Sequence, residues 1–469
     1  MHAADRETWL LHATRAERRA QGKGQRDHLP LAALAETGIA ADGRDVVALI
    51  GAQDVGRVEW LVPIRYGRML RSPFTFYRGT AGLMAHDLAR LPASGLMVQL
   101  CGDAHLSNFG LYGSPERALV FDLNDFDETL PGPFEWDVKR LVASVVIAAR
   151  DRGFKPKHQR AIAIATAQRY RTAMREFAEL PALEAWHVQL EVDKALGAVD
   201  DREWRQFAAH AADRARGKDH LQAVARFTTV HEGRRRIVAD PPLIVPLSDF
   251  PVEALGGDPV DIVRHAFLDY VQTVRDDVRV LLGRYSYVDS ALKVVGVGSV
   301  GTRCVIVLMQ GADEGDLLFL QVKEAGPSVL EAHLGASAYA HPGQRVVAGQ
   351  RLMQSASDAF LGWADGPAGR HFYWRQLRDW KGSAEIEKMD ANILERYGIL
   401  CGWTLAKAHA RSGDRIAIAG YLGSSSRFEE ALADFGAAYA DQTERDYATL
   451  RQAAADGRVD ARDDAAADA

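Results

Sequence analysis

The sequence predicts an α+β chain of two or more lobes, with helical stretches predominating and strands concentrated in a few. Three observations lead there. Its 469 residues exceed what one ordinary hydrophobic core organises. Strand signals concentrate in two separated stretches, 96–128 and 291–325, as short apolar runs bounded by turn residues. Most of the remainder carries apolar residues at helical spacing.

Taken in order, residues 3–22 read as a polar helix and 24–60 as linker and short helices. Val62 to Gly79 concentrates Arg65, Arg68, Arg71 and Arg78 among aromatics, an arrangement that could hold an anionic substrate. Residues 1–95 read together as an N-terminal helical and linker extension. Leu96–Cys101 and Ala118–Phe121 are two strands joined by a polar loop. From Asp137 to Arg152, Val138, Leu141, Val142, Val145 and Val146 recur at helical spacing. Helical pattern continues to 284, broken at Pro241, Pro242 and Pro251, so that 96–284 holds the first loops and a helical unit. The β-rich unit spans 285–380: strands within 291–325, a helix at 343–357, then short apolar runs at Phe360–Trp363 and His371–Leu377. Helices at 391–412 and 425–452 complete the helical lobe as unit 381–452. The tail 453–469, rich in Ala and Asp, has no apolar periodicity and reads as disordered.

Composition excludes more than it assigns. A net charge of −6 gives no electrostatic reason to expect nucleic acid or a membrane surface as partner. No stretch is apolar over the ~18 residues that a membrane span needs. The basic N-terminus lacks the apolar centre of a secretory signal. Cys101, Cys304 and Cys401 lie far apart, without metal-ligand spacing, and read as buried thiols of a cytoplasmic protein.

The chemistry is densest in 96–128, LMVQLCGDAHLSNFGLYGSPERALVFDLNDFDE. Asp103 follows the first apolar run, with His105 and Asn108 in the loop after it. The second run delivers Asp122, Asn124, Asp125 and Asp127. Carboxylates and a carboxamide together are hard oxygen ligands, suited to magnesium shared with phosphates. Two unscreened carboxylates roughly 5 Å apart would repel by about 3 kcal/mol at an effective dielectric of about 20. If Asp103 and Asp122 converge, a cation or proton must offset that repulsion. Taken singly, each Asp could equally cap a turn in solvent, and a lone loop histidine such as His105 usually satisfies backbone.

The second stretch begins Val294-Val295-Gly296-Val297-Gly298-Ser299-Val300-Gly301, a GxGxxG pattern. It does not fit a dinucleotide fingerprint, because a β-branched run, Cys304–Leu308, follows where a helix would be needed. A turn at Gly311–Gly315 and a third strand ending Val322-Lys323-Glu324 come next. Glycines let backbone N–H groups approach phosphate oxygens, and Lys323 would add a point charge. The bland alternative is a pair of hairpin turns and an exposed lysine.

Gly102-Asp103, His105 and Asn108 resemble the catalytic loop of aminoglycoside and choline phosphotransferases, relatives of protein kinases. Asp122-Leu123-Asn124-Asp125 resembles their metal-binding loop, and Phe134-Glu135-Trp136-Asp137-Val138 the start of their next helix. The strand, glycine loop, strand, turn and strand ending in Lys323 resemble the kinase nucleotide clamp. The longest motifs, SPFTFYRG, CGDAHLSNFG, FDLNDFDET, GPFEWDVKRL, GQRVVAGQRLMQ and FLGW, resemble an uncharacterised bacterial family, domain of unknown function family 2252.

The resemblance implies a bilobal, protein kinase-like (aminoglycoside phosphotransferase-like) fold. Its order is inverted, because the glycine loop and Lys323 follow the catalytic loops and the segment Cys401–His409 resembles the helix that normally precedes them. Moving 291–412 ahead of 96–284 restores the usual order, so a circular permutation is expected. The implied function is Mg-ATP-dependent transfer of phosphate to a hydroxyl of a small molecule, or of a protein. Asp103 would be the base, with His105 shaping its loop. Asn108, Asp122 and Asp125 would hold Mg²⁺. Gly296, Gly298, Gly301 and Lys323 would hold the phosphates of ATP, and Glu331 is the candidate partner of Lys323. The hinge at Gln376 and Leu377, running to Arg378, would bond the adenine. Rival readings are a nucleotide-binding regulatory pseudokinase, an AMP-transferring enzyme on the same fold, and a metal-dependent hydrolase using the first cluster alone.

Overall fold

A computed structural model describes residues 13–39, 44–197, 201–218, 220–252, 256–377 and 380–464. The chain is α+β, with antiparallel sheets throughout. The first described helix, Arg15–Gly24, starts at a capping box in which Thr14 accepts from Glu17 N. The rest of the expected N-terminal helix, 3–12, lies outside the described residues.

Two small sheets carry the first chemical cluster. Strand β1 (Met97–Leu100) pairs with β4 (Leu130–Pro133). Strand β2 (Phe109–Gly113) pairs with β3 (Leu119–Leu123), and β13 (Gly382–Ser383) with β2. The two predicted strands therefore do not neighbour each other. Each takes a partner from a stretch read as loop, because the segments are too short and glycine-rich to show periodicity.

Five helices organise the structure around them: α1 (Phe134–Asp151), α2 (Pro156–Glu179), α3 (Pro342–Met353), α4 (Ala391–Ser412) and α5 (Arg427–Ala455). Helices α1, α2, α4 and α5 pack on one another around Leu141, Val145, Tyr170, Leu405 and Phe428. Gly402 lets α4 approach α2: a Cβ there would lie 2.5 Å from Thr166 O. Helix α4 also packs beside β1. A short helix, Arg415–Leu422, capped by Asp414, interrupts what the sequence left as connection.

The large sheet has six strands in the order β11-β12-β10-β9-β8-β7. These are β7 (Ile244–Pro246), β8 (Ser286–Lys293), β9 (Cys304–Gln310), β10 (Leu317–Ala325), β11 (Gly362–Asp365) and β12 (His371–Gln376). Helix α3 sits between β10 and β11 in the chain and packs on β10, β11 and β12. Alternation divides β10 cleanly. Leu320 and Val322 join Trp374 in a core where Tyr270 stacks on Trp374 at 4.7 Å. Gln321 and Lys323 lie opposite Arg375 and Tyr373 on the other face. Strand β7 and the hairpin β5 (Thr228–His231) and β6 (Arg234–Ile237) fall where helix was expected. Glu232 and Gly233 both have positive φ, so the E-G pair was the hairpin signal.

The tail corrects the sequence reading. Helix α5 ends at Ala455 and the chain turns at Gly457, but 458–464 is packed. Val459 is buried beside Tyr66 and Leu450. Arg462 N donates to Pro63 O at 2.9 Å, and Asp464 pairs with Arg68 at 2.6 Å. Opposite charges from the far end of the chain order this stretch without any apolar period; 465–469 lie outside the described residues.

Candidate active site

The first loop is held from below. Asp137, in the first turn of α1, accepts from Cys101 N at 2.7 Å and Gly102 N at 3.0 Å, while His409 of α4 lies 3.3 Å from the same carboxylate. Gly102 has φ +85°, and a Cβ on it would meet Glu128 O at 2.3 Å, so only glycine fits. Asp103 is thereby fixed. Arg140 of α1 donates to its Oδ1 from Nε at 2.9 Å, also donates to Tyr77 O at 2.6 Å, and stacks on the Tyr77 ring at 3.8 Å. Burial pushes the Asp103 carboxyl up to about 6 against the pull of Arg140. His105 stands 3.5 Å from Asp103, and burial, with Arg78 and Arg140, keeps its ring neutral. Among the described residues its buried Nδ1 has no hydrogen-bond partner. Asn108 donates from its amide nitrogen to Asp103 O at 2.7 Å, which leaves its carbonyl oxygen for another partner.

The second loop is tied to the first by Asn124 N donating to Asn108 O at 3.0 Å. Asp122, expected as a metal ligand, is a correction. It is buried within β3 and ion-pairs with Lys407 of α4 while accepting from Leu123 N. It does not line the cavity that Asp103 and Asn108 share. Asp125 and Asp127, beyond the strand end, do. Asp127 accepts from Lys323 at 2.6 Å, the Tyr373 hydroxyl at 2.7 Å and Ser299 Oγ at 3.3 Å. Burial would raise its carboxyl, yet Lys323 and Tyr373 hold it at about 2.

Lys323 therefore meets the first cluster directly, with Asp125 at 3.9 Å as well. Burial works to lower its ammonium, and the two aspartates outweigh burial. The expected partner Glu331 is a second correction: it accepts from Ser328 N and Ser337 N and lies 3.7 Å from Arg345. Glu324 pairs with Arg303 at 3.1 Å, not with Lys323, and lines the cavity. Arg345 of α3 fastens the two stretches, donating to Thr129 O, Asp127 O and Gly326 O at 2.8, 2.9 and 2.9 Å. In the glycine loop, Gly298 lines the cavity, Gly296 O accepts from Arg68, and Gly301 packs on Arg57.

The hinge is a third correction. Gln376 N donates to Asp358 Oδ2 at 2.7 Å and Leu377 N to Phe319 O at 3.0 Å, so neither is available to a base. Gln376 lines a different cavity, of about 260 Å³, with Asn124, Arg375 and Lys381. Burial and Arg375 bring the Lys381 ammonium down to about 7. Arg378 lies outside the described residues.

Residues 57–453 match the family described as "Uncharacterized protein conserved in bacteria (DUF2252)". The chain belongs to this family. No curated protein and no solved structure matches it. The span matched by DUF2252 takes in both clusters and most of the wall that closes them. That wall bounds a cavity of about 410 Å³, with Arg57, Arg78 and Gly79 facing Asp103, Asn108, Asp125, Asp127, Glu128 and Ser299. Arg65, Arg68 and Arg71 are committed elsewhere, to Asp54, Asp464 and the Asp463–Asp464 pair. Sequence reasoning passed over Arg57, Arg140 and Tyr373 and gave Asp127 no role; only the D-x-D spacing of Asp125 and Asp127 was a visible signal. A separate trio, His341, Asp365 and His371, gathers its ligating atoms within 4.8 Å, but His341 Nδ1 caps α3 and none of the three lines the cavity. Among the described residues no helix is long and apolar enough to cross a membrane.

Proposed function

We propose that this protein is a Mg-ATP-dependent phosphotransferase on a circularly permuted, protein kinase-like fold, acting on a hydroxyl of a small molecule. The observation that carries the reading is the Lys323–Asp127 pair, which joins two stretches far apart in sequence and whose Asp127 lines one cavity with Asp103 and Asn108. The order of elements supports it too. Strand, glycine loop, strand, turn, lysine strand, helix α3 and two further strands build the large sheet. Helix α4, near the chain's end, backs β1, as a rotated order requires.

Asn108, Asp125 and Asp127 offer oxygen donors alone, which fits Mg²⁺ and disfavours softer ions. Bound there, Mg²⁺ would neutralise charge on the phosphates. Asp103, mostly ionised above its value of about 6, would orient and deprotonate the acceptor hydroxyl. Lys323 and the amides around Gly298 would hold phosphate oxygens. The N-terminal wall limits the cavity, which favours a small acceptor over a protein.

Titration with the non-hydrolysable analogue AMP-PNP, with and without Mg²⁺, tests the reading. Mg-dependent binding by the wild type, lost in Asp125→Asn, is expected. Binding that ignores Mg²⁺, or no binding, overturns it.

A further inference from the structure

Arg57 has an unusual setting. Its side chain is 12% exposed, and its stem lies along Gly301, where a Cβ would come within 3.0 Å of Arg57 Cβ. Nε donates to Gln53 O at 2.8 Å and Nη1 to Val300 O, so the guanidinium is anchored to its own helical turn and to the glycine loop. Val58 N, next in sequence, donates to Gly301 O at 2.8 Å, which locks the two segments together. Nη2 makes no hydrogen bond among the described residues.

Its counter-charge is shared. The one nearby carboxylate of the wall, Asp54, sits 3.9 Å from Arg57 but 2.8 Å from Arg65, and its other oxygen accepts from Tyr66 at 2.6 Å. Two guanidiniums thus share one aspartate, and the cavity that Arg57 faces also holds Gly298, Ser299, Thr302, Asp125 and Glu128, whose carboxylate attracts Arg57 as well. A buried guanidinium is stable only when its donors are satisfied, and Nη2 is the part of this one left for a partner from outside the chain. Burial, reinforced by Arg65, already lowers the Arg57 guanidinium to about 10. Across the cavity Asp103 and Asp127 pair with Arg140 and Lys323, and Glu128 accepts from Val329 N at 2.7 Å.

We propose that Arg57, carried by the N-terminal segment and clamped to the glycine loop, binds the terminal phosphate of a nucleoside triphosphate, as an arginine finger supplied in cis. The identity of the anion rests on the nucleotide reading above; the anion site itself does not. A planar fork with one free edge suits two phosphate oxygens, which lysine cannot match. Arg57 then adds a guanidinium from the N-terminal segment to the charge that Lys323 supplies.

The test compares wild type with Arg57→Gln and Arg57→Lys, after thermal melts confirm that each variant folds. Mg-AMP-PNP, Mg-ADP and inorganic tripolyphosphate are the probes. Both variants are expected to lose tenfold or more in affinity for Mg-AMP-PNP and less than twofold for Mg-ADP. Millimolar guanidinium should restore part of the loss in Arg57→Gln. Equal losses for both nucleotides, or none, overturn the proposal. If the wild type binds tripolyphosphate but no nucleotide, and Arg57→Gln abolishes that binding, the anion site stands and the nucleotide reading falls. If the wild type binds none of the three, both fall.

Discussion

Asp122 and Asp125 are three positions apart and differ wholly in what surrounds them. Asp122 neutralises Lys407 inside the helical core, whereas Asp125 faces the cavity beside Lys323. Asp125→Asn is therefore expected to abolish Mg-dependent nucleotide binding with little change in stability. Asp122→Asn leaves a buried ammonium without its carboxylate and should cost about 3 kcal/mol, read by denaturant unfolding. An Asp122→Asn protein as stable as wild type would contradict that pairing. On the proposed reading, Asp103 sets the pH dependence. Its folded value near 6 lies above the ordinary carboxylate value, so turnover should rise with pH through about 6 as the base loses its proton. Linkage runs the other way: the stability Asp103 contributes is complete below about 4 and lost as pH rises through about 6. Asp103→Asn should then melt at or above the wild type at pH 8 while being inactive. A flat pH–rate profile would remove Asp103 from the base role.

Elements matter here chiefly as clamps on loops. Helix α1 presents Asp137 to two amides and Arg140 to Asp103 from consecutive turns of its N-terminal half. Those amides have no other acceptor within their own loop, so Asp137→Ala should cost at least about 2 kcal/mol, from unsatisfied buried donors alone. It should also lower turnover by loosening Asp103, which urea unfolding and steady-state kinetics on one preparation would separate. Helix α3 plays the matching part for the second loop through Arg345, whose three carbonyl acceptors come from both stretches. The glutamate expected on this side is not what meets Lys323; aspartates of the other cluster take that place.

At the scale of the molecule, the two ends of the chain converge on the glycine loop. Arg68 binds Gly296 O and Asp464 together, so the C-terminal stretch braces a loop of the cavity through one N-terminal arginine. Ending the chain after Ala455 should expose Tyr66 and Leu450, leave Arg68 and Arg71 without their carboxylates, and lower the melting temperature measurably. An unchanged melt would make the tail dispensable. The joining of the two clusters is tested by Lys323→Ala, expected to lose on the order of 10²-fold in turnover, as when one preorganised charge-stabilising group is removed.

The sequence by itself determined the local pieces. Apolar spacing marked α1 and α4, a β-branched run marked β9, an apolar run marked β10, and the glycine pattern marked the loop between β8 and β9. It also named Asp103, Asn108, Asp125 and Lys323, all of which come together. What it left open were partners. Period-2 alternation puts Asp122 on one side of β3 but says nothing of Lys407, which arrives from a helix near the other end of the chain. The same holds for the hinge amides, taken by Asp358 and Phe319, and for the tail, ordered by Arg68. Backbone propensity acts over a few residues, whereas buried charges and donors must be satisfied by whatever the fold brings within about 3 Å. Which carboxylate is free to face a cavity is therefore decided by tertiary structure alone.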